Sequence, residues 1–369
     1  MRVGTTNIEF PQVHHGMRST LQRWFHVVPL FLLPLLLLLI SGGIQPTIAQ
    51  NDQPWVQYRG VDGPGSGKHV VLIAGDEEYR SEETMPHLGR ILAKRHGFNC
   101  TVLFPINPDT GNIKPNYNKN IPGTKALKTA DLMIISTRFR QLPDKQMKPI
   151  DQYLKAGKPV IGLRTATHGF KFPGDSKWNH YSNGYDGPKE AWNGGFGMLV
   201  LGEQWSGHWG DHGSESTRGI IPDSAKNHPI TNGIKSGMIW GPTDVYKVNM
   251  PIPGDKSKIF VRGQVLKGMS PDSKPNPKKN DPMMPIAWGK SYQLPSGKKG
   301  AAFTSTMGAS QDFKNPAFRR LLVNAVYFLL FGKAPQQADV RIVGEFNPSD
   351  FGFGNFKKGM KPSDYALQK

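Results

Sequence analysis

HVVLIAGDEEYRSEETMPHLGRILAKRHGFNCTVLF, residues 69–104, decides the fold. His69–Ala74 is a short apolar run suited to a strand buried on both faces. From Glu82 to His96, Met85, Leu88, Ile91 and Leu92 recur at helical spacing, and Gly97 stops the helix. Phe98–Phe104 then reads as a second strand. Strand, helix, strand over so short a span implies parallel pairing with a crossover helix.

The pattern continues outward from this unit. Asp131–Ser136 (DLMIIS) is a third strand, and Pro143–Ala156 a helix with proline at its start and Gly157 at its end. Lys158–Leu163 (KPVIGL) is a fourth strand that runs into RTATHGF. Alternation of this kind predicts an α/β protein with a parallel sheet covered on both faces. The second half is less regular and rich in Gly, Trp and His up to about residue 216. Strand-like pieces follow at Gly219–Ile221, Val245–Val248, Lys258–Val265, Pro285–Trp288 and Gly300–Thr304. An amphipathic helix closes the series at Pro316–Phe331. The expected divisions are a domain over 69–332, a linker over 50–68 and an extended C-terminal tail over 333–369.

The first 49 residues are of another kind. Residues 27–40 read VVPLFLLPLLLLLI, after Arg18 and Arg23, and small residues follow at 41–43 and at 47 and 49. This is the pattern of a secretory signal peptide with a long basic leader. An uncleaved membrane anchor is the alternative, because the run approaches a spanning length. Either reading puts the body outside the cytoplasm, periplasmic or extracellular after cleavage. The membrane is a partner only if the segment stays uncleaved.

The 369 residues carry a formal charge of +18. Arg2, Arg18 and Arg23 against Glu9 contribute +2 of it, so about +16 stays on the remainder. The lysines are scattered, many in Pro/Gly-rich stretches such as 267–282, and do not interleave with aromatics as a nucleic-acid site requires. The charge reads as a solvated surface with no nucleic-acid partner. A single cysteine, Cys100, excludes an internal disulfide. It lies in the apolar run FNCTVLF and reads as a buried small hydrophobe. GPGSG (63–67) precedes the first strand, so it is not a dinucleotide fingerprint.

Ligands of parallel α/β sheets sit beyond the carboxyl ends of the strands. GDEEYRSEE (75–83) occupies such a place. Ser81 as a helix cap and Glu82 and Glu83 at the helix start account for the later acids, but not for Asp76, Glu77, Glu78 and Tyr79. Arg164, Thr165, Thr167 and His168 bunch at the end of the fourth strand, at a turn whose following helix would favour an anion. In GEQWSGHWGDHG (202–213), His208, Asp211 and His212 lie within five residues and Trp205 and Trp209 frame them. Histidine transfers protons near neutral pH, and tryptophan faces suit sugar rings. No cofactor is expected. The spacing matches no standard zinc pattern, so a metal on His208, Asp211 and His212 is the lesser reading. Histidines packed structurally under tryptophans are the other alternative.

Taken in order, GDEEYRSEE, VIGLRTATHGF, HWGDHG, HPIT (228–231), PIAWGK (285–290), GKKGAAFTSTMG (297–308) and NPAFRRLLVNAVYFLL (315–330) resemble the ThuA-like, trehalose-utilisation family over roughly 69–332. The resemblance implies a class I glutamine-amidotransferase-like, flavodoxin-like fold. That is a parallel-sheet three-layer sandwich, here with a Gly/Trp-rich insertion and extra C-terminal strands. It also implies a link to the use of trehalose or related oxidised disaccharides. Amidotransferases place G-x-C-x-G where this chain has Gly162-Leu163-Arg164-Thr165-Ala166, and arginine is no nucleophile. No histidine follows His228 to complete a triad. Better-known ThuA proteins more often begin this turn with histidine, another departure at Arg164.

The expectation is an exported protein that acts on, or binds, a small sugar or keto-sugar and is not a glutaminase. His208, His212, His168 and Glu78 are the acid-base candidates. Arg164, Thr165, Thr167, Glu77, Tyr79, Trp205, Trp209 and Asp211 are the binding candidates, with Arg164 polarising a carbonyl. The alternative is a non-catalytic carbohydrate-binding or scaffold module on the same fold. The oligomeric state stays open.

Overall fold

The computed structural model describes residues 53–254 and 256–367. The leader at 1–49 lies outside them. Among the described residues, ten strands form one sheet: β1 (Trp55–Tyr58), β2 (His69–Gly75), β3 (Asn99–Leu103), β4 (Leu132–Thr137), β5 (Val160–Leu163), β6 (Ser216–Ile220), β7 (Ile239–Gly241), β8 (Lys258–Leu266), β9 (Met284–Gln293) and β10 (Lys299–Ser305). Their order is β1-β3-β2-β4-β5-β10-β9-β8-β6-β7. From β3 to β10 the neighbours are parallel. β1 adds to one edge antiparallel, and β9, β8, β6 and β7 extend the other as an antiparallel wing.

Among the described residues, three α-helices accompany the sheet: α1 (Ser81–His96), α2 (Asp144–Lys155) and α3 (Pro316–Phe331). α2 buries Met147, Ile150 and Leu154 in a cluster with Val71, Ile73, Met133, Ile135 and Val160. α1 approaches at Gly89, where a Cβ would press on Tyr58 and Val102. Asn315 caps α3 by accepting from the Phe318 N–H, and Pro316 follows at the first helical position. Strands buried on both faces explain why HVVLIA and DLMIIS read as unbroken apolar runs.

Several expectations change. The linker contains β1, because alternate residues Val56 and Tyr58 are buried beside β3. Val245–Val248 joins no strand; its Tyr246 makes an isolated bridge with His208. β7 was not foreseen, since three residues give periodicity nothing to show. RTATH forms a five-residue 3-10 turn, Arg164–His168, so no α-helix N-terminus stands there for an anion. Ser81 does not cap α1: its Oγ accepts from the Gly75 and Asp76 N–H groups, and left-handed Arg80 holds the cap position. The tail has one short 3-10 turn, Pro362–Tyr365, yet packs back on the body. The Gly352 N–H donates to the Glu78 carbonyl at 2.7 Å, and the Ser349 N–H to Glu83 at 2.8 Å.

Candidate functional site

Loop 75–80 follows β2 and is folded by Asp76. One Asp76 oxygen accepts from the Glu78 and Tyr79 N–H groups at 2.7 and 3.0 Å, and the other from the Thr165 hydroxyl. This bond ties the ends of β2 and β5 across the intervening β4 and turns Glu78 and Tyr79 toward a common point. Glu77 is committed elsewhere, held by Arg138 and Arg140. Its expected contact with a ligand gives way to this pairing.

At the end of β5, Arg164 takes φ 47°, a left-handed conformation that costs roughly 1–3 kcal/mol outside glycine. The turn sends its side chain inward. The guanidinium lies between the rings of Tyr79 and Tyr246, 4.3 and 3.8 Å from their centroids. It donates to Asp244 Oδ1 at 2.7 Å, Tyr79 Oη at 2.9 Å, and the carbonyls of Asp244 and Thr306 at 2.8 Å each. Arg164 is fully buried, so it cannot polarise a substrate carbonyl directly. It acts on the site through Asp244.

Asp244 is the residue that sequence reasoning missed. Segment 244–246 receives the His208 loop: the N–H groups of Trp209 and Gly210 both donate to the Val245 carbonyl. His208 Nδ1 donates to Asp244 Oδ2 at 2.7 Å and His212 Nδ1 to Oδ1 at 3.0 Å. The two histidine side chains are 39% and 36% exposed, while Asp244 is at 0%. Burial alone would raise the Asp244 carboxyl. The Arg164 charge and the two imidazole bonds override it and hold the group well below the usual carboxylate range. The imidazole centroids are 5.1 Å apart.

The hydrogen bond to Asp244 raises the pKa of His212, with burial opposing and Glu78 assisting. Glu78 Oε1 lies 3.5 Å from His212 Nε2. Burial and the neighbouring Asp76 raise the Glu78 carboxyl, and Arg138, Arg164 and His212 act against them. Phe351, from the tail, stands 5.6 Å from Tyr79 and 5.8 Å from His212, centroid to centroid.

The other candidates fall into place around this centre. Trp205 lies between His168 and His208, at 5.4 and 5.7 Å, and its indole N–H is buried without a protein acceptor. Trp209 turns its indole N–H to the Lys279 carbonyl at 2.7 Å. Asp211 is not the carboxylate between the histidines; it is exposed and pairs with Lys279 Nζ at 2.5 Å. His168 is buried against Phe139 and Trp205, and Thr167 Oγ1 is 3.2 Å from its Nδ1. Burial, then Arg138 and Arg164, lower its pKa well below normal and keep the ring neutral. Thr165 and Thr167 are both buried and serve these internal bonds. Cys100 is buried in β3, its thiol pushed up by burial.

Among the described residues, the donors that could hold a metal ion are His208, His212 and Asp244, with atoms within 4.8 Å of one another. The Arg164 cation already compensates the carboxylate at 2.7 Å. A dication there would face that buried guanidinium, so the set fits N–H donation to Asp244 better than metal binding.

A mixed α/β sheet with its polar cluster beyond the carboxyl ends of the parallel strands defines the class. A family model, ThuA, described as "Trehalose utilisation", matches residues 70–329, and the chain belongs to this family. No curated protein matches it. Two solved structures to which it is similar are described as putative ThuA-like proteins, each 14% identical. That from Bacteroides uniformis has a TM-score of 0.44 over 75% of this chain and 97% of its own. That from Parabacteroides merdae has a TM-score of 0.43 over 82% and 99%.

Proposed function

We propose that this chain is an exported carbohydrate-active enzyme that moves protons on a sugar or keto-sugar of the trehalose type. We read its architecture as the three-layer α/β sandwich of the amidotransferases, without glutaminase chemistry. One observation carries the functional reading: two solvent-facing imidazoles are anchored on a single buried carboxylate. Donation from Nδ1 to Asp244 fixes the tautomer and leaves each Nε2 outward with its lone pair when neutral. One ring can then take a proton from a carbon or hydroxyl while the other, protonated, gives one to an oxygen. Glu78 beside His212 Nε2 supplies a relay for that proton. Arg164 keeps Asp244 ionised, and the Tyr79 and Tyr246 rings hold Arg164 in place. The family's link to trehalose utilisation supplies the substrate class.

The test is a panel of disaccharides and their 3-keto forms, followed by product analysis with and without a chelator. Turnover of a keto-disaccharide, unchanged by the chelator, is expected. Binding without any turnover would replace the enzyme with a carbohydrate-binding module. Export has its own measurement. N-terminal sequencing of the mature protein is expected to begin near Gln50, as the small residues Thr47 and Ala49 suggest. A chain starting at Met1 and held in the membrane would favour the anchor.

A further inference from the structure

Beside His212 lies a cleft of about 670 Å³ that the proton-transfer groups do not use. Small-molecule sites run to about 300–1,000 Å³. Gly213, next in sequence to His212, forms one wall, and Phe351, whose ring also faces His212, forms another. Trp240, Met269, Gln311 and Lys314 also line it. The cleft therefore begins where the proposed chemistry ends.

Its lining mixes apolar and polar side chains. The Trp240 indole N–H donates to Ser216 Oγ at 3.2 Å, which fixes the half-buried ring on the edge strand β7. Met269 is exposed beside it. Gln311 donates to Asp350, which also borders the cleft, and Lys314 lines it as well. An indole face for the C–H side of a pyranose, with an amide, a carboxylate and an ammonium for its hydroxyls, is the chemistry of a sugar subsite.

Resting on the reading of the His208/His212 site, we infer that this cleft binds the non-reacting ring of a disaccharide, with Trp240 as its platform. The ring that undergoes proton transfer sits at His212 and the second ring extends over Gly213 onto Trp240. A disaccharide then gains contacts that a monosaccharide cannot make. Covering one indole face corresponds to about tenfold in affinity at the usual apolar-burial coefficient.

Calorimetric titration with trehalose and with glucose tests this, using the wild-type protein, Trp240→Ala, Trp240→Phe and Lys314→Ala, each checked by thermal melt. Wild type is expected to bind trehalose about tenfold more tightly than glucose. Trp240→Ala should abolish that ratio while glucose affinity stays the same. Trp240→Phe should keep most of it, and Lys314→Ala, at an exposed position, should reduce it without affecting the fold. Equal affinity for the two sugars, no sugar binding at all, or a ratio insensitive to Trp240→Ala would overturn the subsite. The proton-transfer reading fails by a different measurement, namely keto-sugar turnover that survives loss of both site histidines.

Discussion

Asp244→Asn is expected to lower stability by about 3–5 kcal/mol, the usual consequence of leaving one member of a buried ion pair without its partner. The volume hardly changes, so the effect reports charge. Arg164 has no exposure, and Asp244 supplies the countercharge at 2.7 Å. Tyr79 and Tyr246 flank the guanidinium, and burial keeps both phenols neutral, that of Tyr79 pushed up to about 12. They cannot replace the carboxylate.

The same substitution should change the titration of His212. Its raised pKa is owed first to the hydrogen bond with Asp244, so the variant should titrate closer to the ordinary value of about 6.5. The sign follows from linkage. A histidine whose folded pKa is raised contributes stability in full below the unfolded value and loses it as pH climbs through the folded one. The wild-type advantage should therefore have a part that fades above about pH 6.5, small because the ring is more than a third exposed and solvent-screened. The Arg164 part should persist at all pH values where Asp244 is ionised. Urea unfolding at pH 6 and pH 9, with NMR titration of His212, measures both parts. Unchanged stability at both pH values would show that Asp244 is not the counterion on which the site is built.

The fold was legible in the first half of the chain because parallel strands buried on both faces are written as continuous apolar runs, and HVVLIA, DLMIIS and KPVIGL are such runs. α3 was readable to the residue, since Pro316 and Gly332 mark its ends. β1 and β7 were not, being three or four residues long on the sheet edges. In the site, the Gly-rich loop around His208 and His212 stood out by composition. Asp244 did not, because its role comes from segment 244–246 crossing over that loop, a contact between positions more than thirty residues apart. Asp211 stood among the binding candidates by its sequence proximity to the two histidines, although its side chain turns to Lys279. Phe351 was hidden for the same reason: it is one of four phenylalanines between 346 and 356, and sequence alone does not say which of them folds back onto Tyr79 and His212.

His208→Ala and His212→Ala are each expected to lower turnover of a keto-disaccharide by roughly 10²–10⁴-fold, the usual loss on removing a general acid or base. Their cost in stability should be about 1 kcal/mol or less. Each removes one hydrogen bond to Asp244 from a ring more than a third exposed, and Arg164 remains to satisfy the carboxylate. The two losses should not add, because the rings share one anchor and act on one substrate. The double variant should fall little below the worse single one. Glu78→Gln should be milder than either, since Glu78 stands 3.5 Å from His212 Nε2 and works through it. It should also shift the pH profile, because removing a nearby negative charge lowers the pKa of His212. Steady-state kinetics with thermal melts of the four variants decide the matter. Should the single variants unfold many degrees earlier while their folded fraction turns over substrate at the wild-type rate, the histidines are packing groups and the chemistry lies elsewhere.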